Sequence, residues 1–187
     1  MAEKTLSGLK VAALTTDGFE ESELLEPKKA LEEAGAQVLV VSPKTGEVQG
    51  FKHHDKSRTV PVDMKLEEAV PKQFDGVLLP GGALNADALR LEPAAQEFVR
   101  EAERNKKPIA VICHGPWLLV SAGLLRGRTI TSWPSIQDDI RNAGGNWVDT
   151  EVVRDGNLVS SRKPADIPAF NREMLNLLQE SRVRRAA

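Results

Sequence analysis

Cysteine is nearly absent from this chain of 187 residues, which has only Cys113. A single cysteine excludes an internal disulfide and a resolving thiol in the same chain, and it agrees with a reducing compartment. Oxidation of Cys113 must then end in a sulfur oxyacid, a mixed disulfide or a bond to another chain. Charge of one sign is lacking too. The 25 Lys and Arg residues are balanced by 27 Asp and Glu, for a net charge of -2, so neither nucleic acid nor a membrane surface is expected as a partner. No apolar run approaches the ~18 residues of a bilayer span. The first ten residues, MAEKTLSGLK, lack the apolar core of a signal peptide, so the expected location is cytoplasmic. There is no Walker loop and no GxGxxG, so no nucleotide cofactor is expected. His53 and His54 stand without a cysteine or acidic ligand at a zinc spacing, and they read as loop residues with no metal. What is present is 41% hydrophobic and 28% charged residues, which suits one globular domain over residues 1–187 with a sizeable core.

The chain is organised around Lys107 to Trp117, KPIAVICHGPW. Ile109 to Ile112 is a continuous apolar run, the pattern of a strand buried on both faces. Cys113 stands where that strand must stop. Gly115 permits a sharp turn, and Pro116 fits the first turn of a helix through Trp117, Leu118, Leu119 and Val120. This places the thiol on a strand–turn–helix elbow, beside the orphan amides of the helix, whose partial positive charge is expected to lower its pKa. A lone free cysteine is more often a small buried hydrophobe, and it is the elbow that tips the reading towards a nucleophile. The turn also breaks strand alternation at His114, which opens the way to a contact between Cys113 and His114.

The remaining elements read as an α/β fold. Leu9 to Thr15 and Gln37 to Ser42 are strands separated by a helix with Leu24, Leu25, Lys28 and Leu31 at helical spacing, closed by Ala34-Gly35. This βαβ opening predicts a parallel sheet with helices on its faces. Pro43 to Val62 is a hairpin excursion built on Glu47 to Lys52 and Thr59 to Val62, and Met64 to Lys72 is a short helix. Phe74 to Pro80 is a third parallel strand ending on Gly81-Gly82, after which GGALNADALRL reads as a loop. Pro93 to Asn105 is an amphipathic helix. Thr129 to Ser132 is a strand, and Ser135 to Ala143 a helix stopped by Gly144-Gly145. Asp155-Gly156 turns a hairpin between Glu151–Val153 and Leu158–Ser160. A helix starts at Pro164 and carries Ile167, Phe170, Met174, Leu175 and Leu178, and the tail SRVRRAA reads as a frayed, solvated end.

Ligands of an open parallel sheet bind outside the carboxyl ends of its strands, where the strand order reverses. Three loops leave such ends here: Asp17 to Glu20, Gly81 to Ala83, and Cys113 to Gly115. Asp17-x-x-Glu20 before a helix has the form of a capping box. With Cys113 across the crevice, Glu20 would instead hold its proton, donate to the sulfur and exchange protons with substrate. Glu21, Glu23 and Glu26 read as a solvated helix face. The side-chain-free Gly82 and the residue after Cys113 could offer their amides, Gly82 N–H and His114 N–H, as an oxyanion hole.

DGFEESE near the start, LLPGG before the elbow and AVICHGPWLLVSAGLLRGRTITSWPSIQDDIRNAGGNWVD followed by VVRDGNLVSSRKPAD resemble, in order and over nearly the whole chain, the PfpI branch of the ThiJ/PfpI superfamily. The resemblance implies a class I glutamine amidotransferase-like domain. Its fold is a flavodoxin-like sandwich with a mostly parallel central sheet, helices on both faces and a cysteine nucleophile elbow. It implies that Cys113 is the nucleophile, Glu20 its partner acid, His114 the adjacent histidine, and Gly82 with the His114 amide the oxyanion pocket. It further implies a homodimer or larger homo-oligomer, and in protease-like members a neighbouring subunit's glutamate that orients the histidine. Asp87 is the nearest acidic candidate here, in a segment about one residue longer. The resemblance also implies stress-linked roles: removal of glyoxal and methylglyoxal adducts, peptidase action, and cysteine oxidation to a sulfinate. The leading expectation is a cysteine hydrolase acting on small reactive carbonyls or glycated substrates without a cofactor. The alternatives are a cysteine peptidase with His114 as base, and an oxidation-responsive sensor or chaperone.

Overall fold

The computed structural model describes residues 5–186. In chain order the elements are β1 (Lys10–Leu14), β2 (Phe19–Glu20), α1 (Glu21–Glu33), β3 (Gln37–Ser42), β4 (Glu47–Lys52), β5 (Asp55–Pro61), β6 (Met64–Lys65), β7 (Gly76–Leu79), α2 (Ala83–Leu89), α3 (Pro93–Arg104), β8 (Ile109–Ile112), α4 (Pro116–Ser121), β9 (Thr129–Ile130), α5 (Gln137–Asn142), β10 (Asn146–Trp147), β11 (Val152–Asp155), β12 (Leu158–Ser161) and α6 (Ile167–Ala186). A seven-stranded sheet runs β11-β12-β8-β7-β1-β3-β6. All its neighbours are parallel except the β11–β12 hairpin at one edge.

Strand alternation feeds two cores. On β8, Ile109 and Val111 join the side chains of α3 (Ala95, Phe98, Val99, Ala102), α4 and α5. The intervening Ala110 and Ile112 join Leu24 and Leu31 of α1 and Phe170, Met174, Leu177 and Leu178 of α6. Both faces of the sheet are therefore covered, which is why its central strands read as unbroken apolar runs rather than alternating ones. From β1 the chain moves outward to β3 and β6, then returns to β7 on β1's other side. The order reverses between β1 and β7, and the crevice beyond their carboxyl ends lies beside the end of β8.

Four expectations are corrected. Met64 to Lys72 is not a helix: it is β6 followed by 3-10 turns at Leu66–Glu68 and Pro71–Gln73. Val70 precedes Pro71, whose ring forces it extended, at φ -89 and ψ 112. The segment after the diglycine is not a loop but α2, which Gly82 opens at φ 87. The strand at Thr129 stops at Ile130 and pairs with β10 outside the main sheet. The tail through Ala186 is helical; Ser181 is buried, and Arg182 donates to the Thr5 carbonyl. Among the described residues no helix is long and apolar enough to cross a membrane.

Candidate active site

Cys113 occupies the step between β8 and α4 with φ 62, one of three non-glycine residues with positive φ in the described chain. A side chain in that region is strained, and such strain persists only where the surroundings hold it. Here the Cys113 amide donates to Ser161 O at 3.0 Å and its carbonyl accepts from Trp133 N at 2.9 Å. Gly115, by contrast, has an ordinary helical φ of -49. What it supplies is space, since a Cβ there would lie 2.8 Å from Leu79 O and 3.0 Å from Ile112 O. The left-handed step of the turn falls on the cysteine itself.

Gly81 and Gly82 let the end of β7 approach the thiol. A Cβ on Gly81 would lie 2.5 Å from the Cys113 Cβ, and one on Gly82 would lie 2.2 Å from Gly18 O. The buried Asn85 of α2 fixes this approach. Its Oδ1 accepts from Thr16 N (2.8 Å) and Thr15 Oγ1 (3.2 Å), while its Nδ2 donates to Pro80 O (3.1 Å) and Gly81 O (3.0 Å). One amide side chain thus ties the end of β1 to the end of β7. The Gly82 and His114 amides lie close enough to the Cys113 sulfur to favour its charged form.

The carboxyl beside the thiol is Glu23, and this corrects the expectation for Glu20. Glu23 has no exposed surface; its Oε2 accepts from Gly81 N at 2.9 Å, and its carboxyl and the Cys113 side chain flank the same face of Gly81. Its Oε1 is buried without a hydrogen-bond partner. Glu20 instead accepts from the His53 amide at 2.9 Å through its Oε2. It is the N-cap residue of α1, with no side-chain cap bond, so there is no capping box; Asp17 Oδ1 accepts from Gln49 N and Asp17 Oδ2 from Lys44. Glu21 is buried as well and pairs with Lys52 and Arg58, so of the three helix glutamates only Glu26 faces solvent.

Burial pushes the Glu23 carboxyl up to about 8, so it is protonated at pH 7, with the neighbouring Glu20 charge adding to the rise. Burial also raises the Cys113 thiol, and the Glu23 charge raises it further. The Gly82 and His114 amides act the other way but are outweighed, so the lowered thiol pKa expected from the helix amides is corrected to a raised one. The resting site is therefore a thiol and a carboxylic acid sharing a dry pocket, not a free thiolate.

His114 Nδ1 lies 3.2 Å from Cys113 Sγ, so the predicted Cys–His contact is present. The ring meets Trp117 edge-on at 5.4 Å and stacks with Trp133 at 6.0 Å. Burial lowers its pKa, leaving a neutral imidazole at pH 7. Asp87 is exposed on α2. His53 and His54 form the turn between β4 and β5, and among the described residues no cluster of three or more His, Cys, Asp or Glu is placed to hold a metal ion.

Residues 9–177 match the DJ-1/PfpI family. The chain belongs to the DJ-1/PfpI family. It is 48% identical over 171 residues to Deglycase PYRAB04690 of Pyrococcus abyssi, covering 91% of this chain and all of that one. It is 42% identical over 174 residues to General stress protein 18 of Bacillus subtilis, covering 92% and 99%. Among solved structures it superposes, with a TM-score of 0.86 and 35% identity, on a two-domain protein of Anabaena variabilis that contains DJ-1/ThiJ/PfpI-like and ferritin-like domains; the match covers 91% of this chain and 48% of that one.

Proposed function

We propose that this DJ-1/PfpI protein is a stress-response cysteine hydrolase that acts through Cys113 on adducts of glyoxal and methylglyoxal. The observation that carries the proposal is the setting of the sulfur: His114 Nδ1 lies 3.2 Å from it, and the buried, protonated Glu23 carboxyl and the Gly81-Gly82 backbone pack beside it. That is the equipment for adding a thiol to a carbonyl. The Sγ–H proton moves to His114 Nδ1, and the sulfur electron pair forms the S–C bond. The carbonyl electrons move onto oxygen, where the Gly82 and His114 amides hold the developing charge and Glu23 delivers its proton. For a methylglyoxal adduct of a thiol, the net reaction adds one water and releases lactate and the freed thiol. The aldehyde carbon is oxidised while the ketone carbon is reduced, so the redox change balances within the substrate. The names of the archaeal deglycase and of the Bacillus stress protein support the same reading.

The test is lactate release from methylglyoxal and from a methylglyoxal-modified thiol by wild type and Cys113→Ser, against buffer alone. Release well above buffer and absent in the variant is expected; equal release by both proteins ends the proposal. A peptidase reading is favoured by one observation, the 3.2 Å contact between His114 Nδ1 and the thiol. It requires peptide turnover that His114→Ala abolishes. We further propose that the protein works in the cytoplasm as a homo-oligomer.

A further inference from the structure

The His114 ring is gripped by a short segment of its own chain, Thr131 to Ile136. Its Nε2 lies 3.5 Å from Ser135 Oγ, on the side away from the thiol. Trp133 stacks on the ring at an interplanar angle of 24°, and its amide donates to the Cys113 carbonyl at 2.9 Å. The segment is itself pinned. Thr131 N donates to Ser160 Oγ (3.0 Å), and Trp147 Nε1 donates to Ser132 Oγ (2.9 Å). Among the described residues of this chain, the polar contacts of the ring are those with Cys113 and Ser135, and burial lowers its pKa. The imidazole therefore has two polar neighbours, a thiol at one nitrogen and a hydroxyl at the other.

We propose that Ser135, with Trp133, is the positioning residue for His114, its Oγ accepting the Nε2–H so that the Nδ1 lone pair faces the Cys113 thiol. A neutral imidazole carries one proton, and the hydrogen bond made by one nitrogen decides the tautomer. With Nε2–H directed to Ser135, Nδ1 is the acceptor that proton abstraction requires. When the Sγ–H bond breaks and the Nδ1–H bond forms, the electron pair stays on sulfur and the Nε2–H bond to Ser135 is retained, so the strap need not rearrange. Stacking on Trp133 keeps the ring in the plane that reaches both partners. The inference rests on the proposed role of His114 as the base. It gives that base an orienting group from its own chain.

The test uses imidazole nitrogen NMR of the full chain, in which only three histidines must be assigned, together with the rate of Cys113 alkylation by iodoacetamide and, where turnover is present, kcat and KM. Wild type should show His114 as the Nε2–H tautomer. Ser135→Ala should move it towards a mixture and slow alkylation and kcat about five-fold, the size of one exposed hydrogen bond, with KM unchanged. Ser135→Thr, which keeps the hydroxyl, should restore both. An Nδ1–H tautomer in wild type overturns the proposal, as does an unchanged tautomer in Ser135→Ala. A tautomer change in Asp87→Asn but not in Ser135→Ala assigns the task to a partner's carboxylate and also overturns it. The NMR and alkylation readings stand without turnover, so an inactive wild type would count against the carbonyl hydrolase alone.

Discussion

Replacing Glu23 by Gln should stabilise the protein, and by an amount that grows with pH. Above about pH 4.5 the unfolded chain releases the Glu23 proton, whereas the folded chain keeps it up to about 8. Across that window the folded state binds more protons, so its stability falls as pH rises. At pH 7 the cost is about 2.5 units at 1.36 kcal/mol each, or about 3 kcal/mol, and it levels off near 5 kcal/mol above pH 8. Glutamine has nearly the same shape, accepts from Gly81 N through its oxygen, and donates from its amide towards the sulfur, but it never ionises. The difference in unfolding free energy between Glu23→Gln and wild type should rise from near zero at about pH 4.5 to about 3 kcal/mol at pH 7. Urea denaturation of both proteins across that range reads it directly, because the titrating groups that do not interact with Glu23 cancel in the difference. A difference that does not change with pH, or that shrinks as pH rises, would refute the reasoning.

Gly81→Ala should cost roughly 1–3 kcal/mol by overpacking, because its Cβ would sit 2.3 Å from Glu23 Oε2 and 3.0 Å from Ile112 O, and it should slow Cys113 alkylation. Thermal unfolding and alkylation rates check both effects. Asn85→Ala should cost about 3 kcal/mol, since it strands the buried Thr16 amide and removes the donor that two carbonyls share; a loss below 1 kcal/mol would show that the tie is weak.

The sheet was legible because buried parallel strands are written as unbroken apolar runs: Ile109–Ile112 and Gln37–Ser42 were read at their observed bounds. The converging loops were legible because turn residues mark strand ends. The acid was misassigned because Glu20 stands at the N-cap position, where a carboxylate has a local explanation, and Glu23 was grouped with its charged neighbours. A signal was present, since Glu23, Pro27 and Leu31 recur at a spacing of four on one buried face of α1. A glutamate on the apolar stripe of a helix is a buried acid in need of a partner. The raised thiol was also out of reach: the amides that lower it belong to the local motif, whereas the burial and the carboxyl that raise it come from α1, ninety residues earlier in the chain. Ser135 is distant in sequence from His114 and bears no motif, so only the fold brings its hydroxyl to Nε2.

The most direct test of the account is the initial rate of lactate release by Glu23→Gln and Glu20→Gln, measured side by side with wild type on the same methylglyoxal-modified thiol. The account predicts a loss of roughly 10²-fold or more for Glu23→Gln, the scale of removing a positioned acid, and at most a few-fold change for Glu20→Gln. A wild-type rate in Glu23→Gln together with a collapse in Glu20→Gln would contradict it.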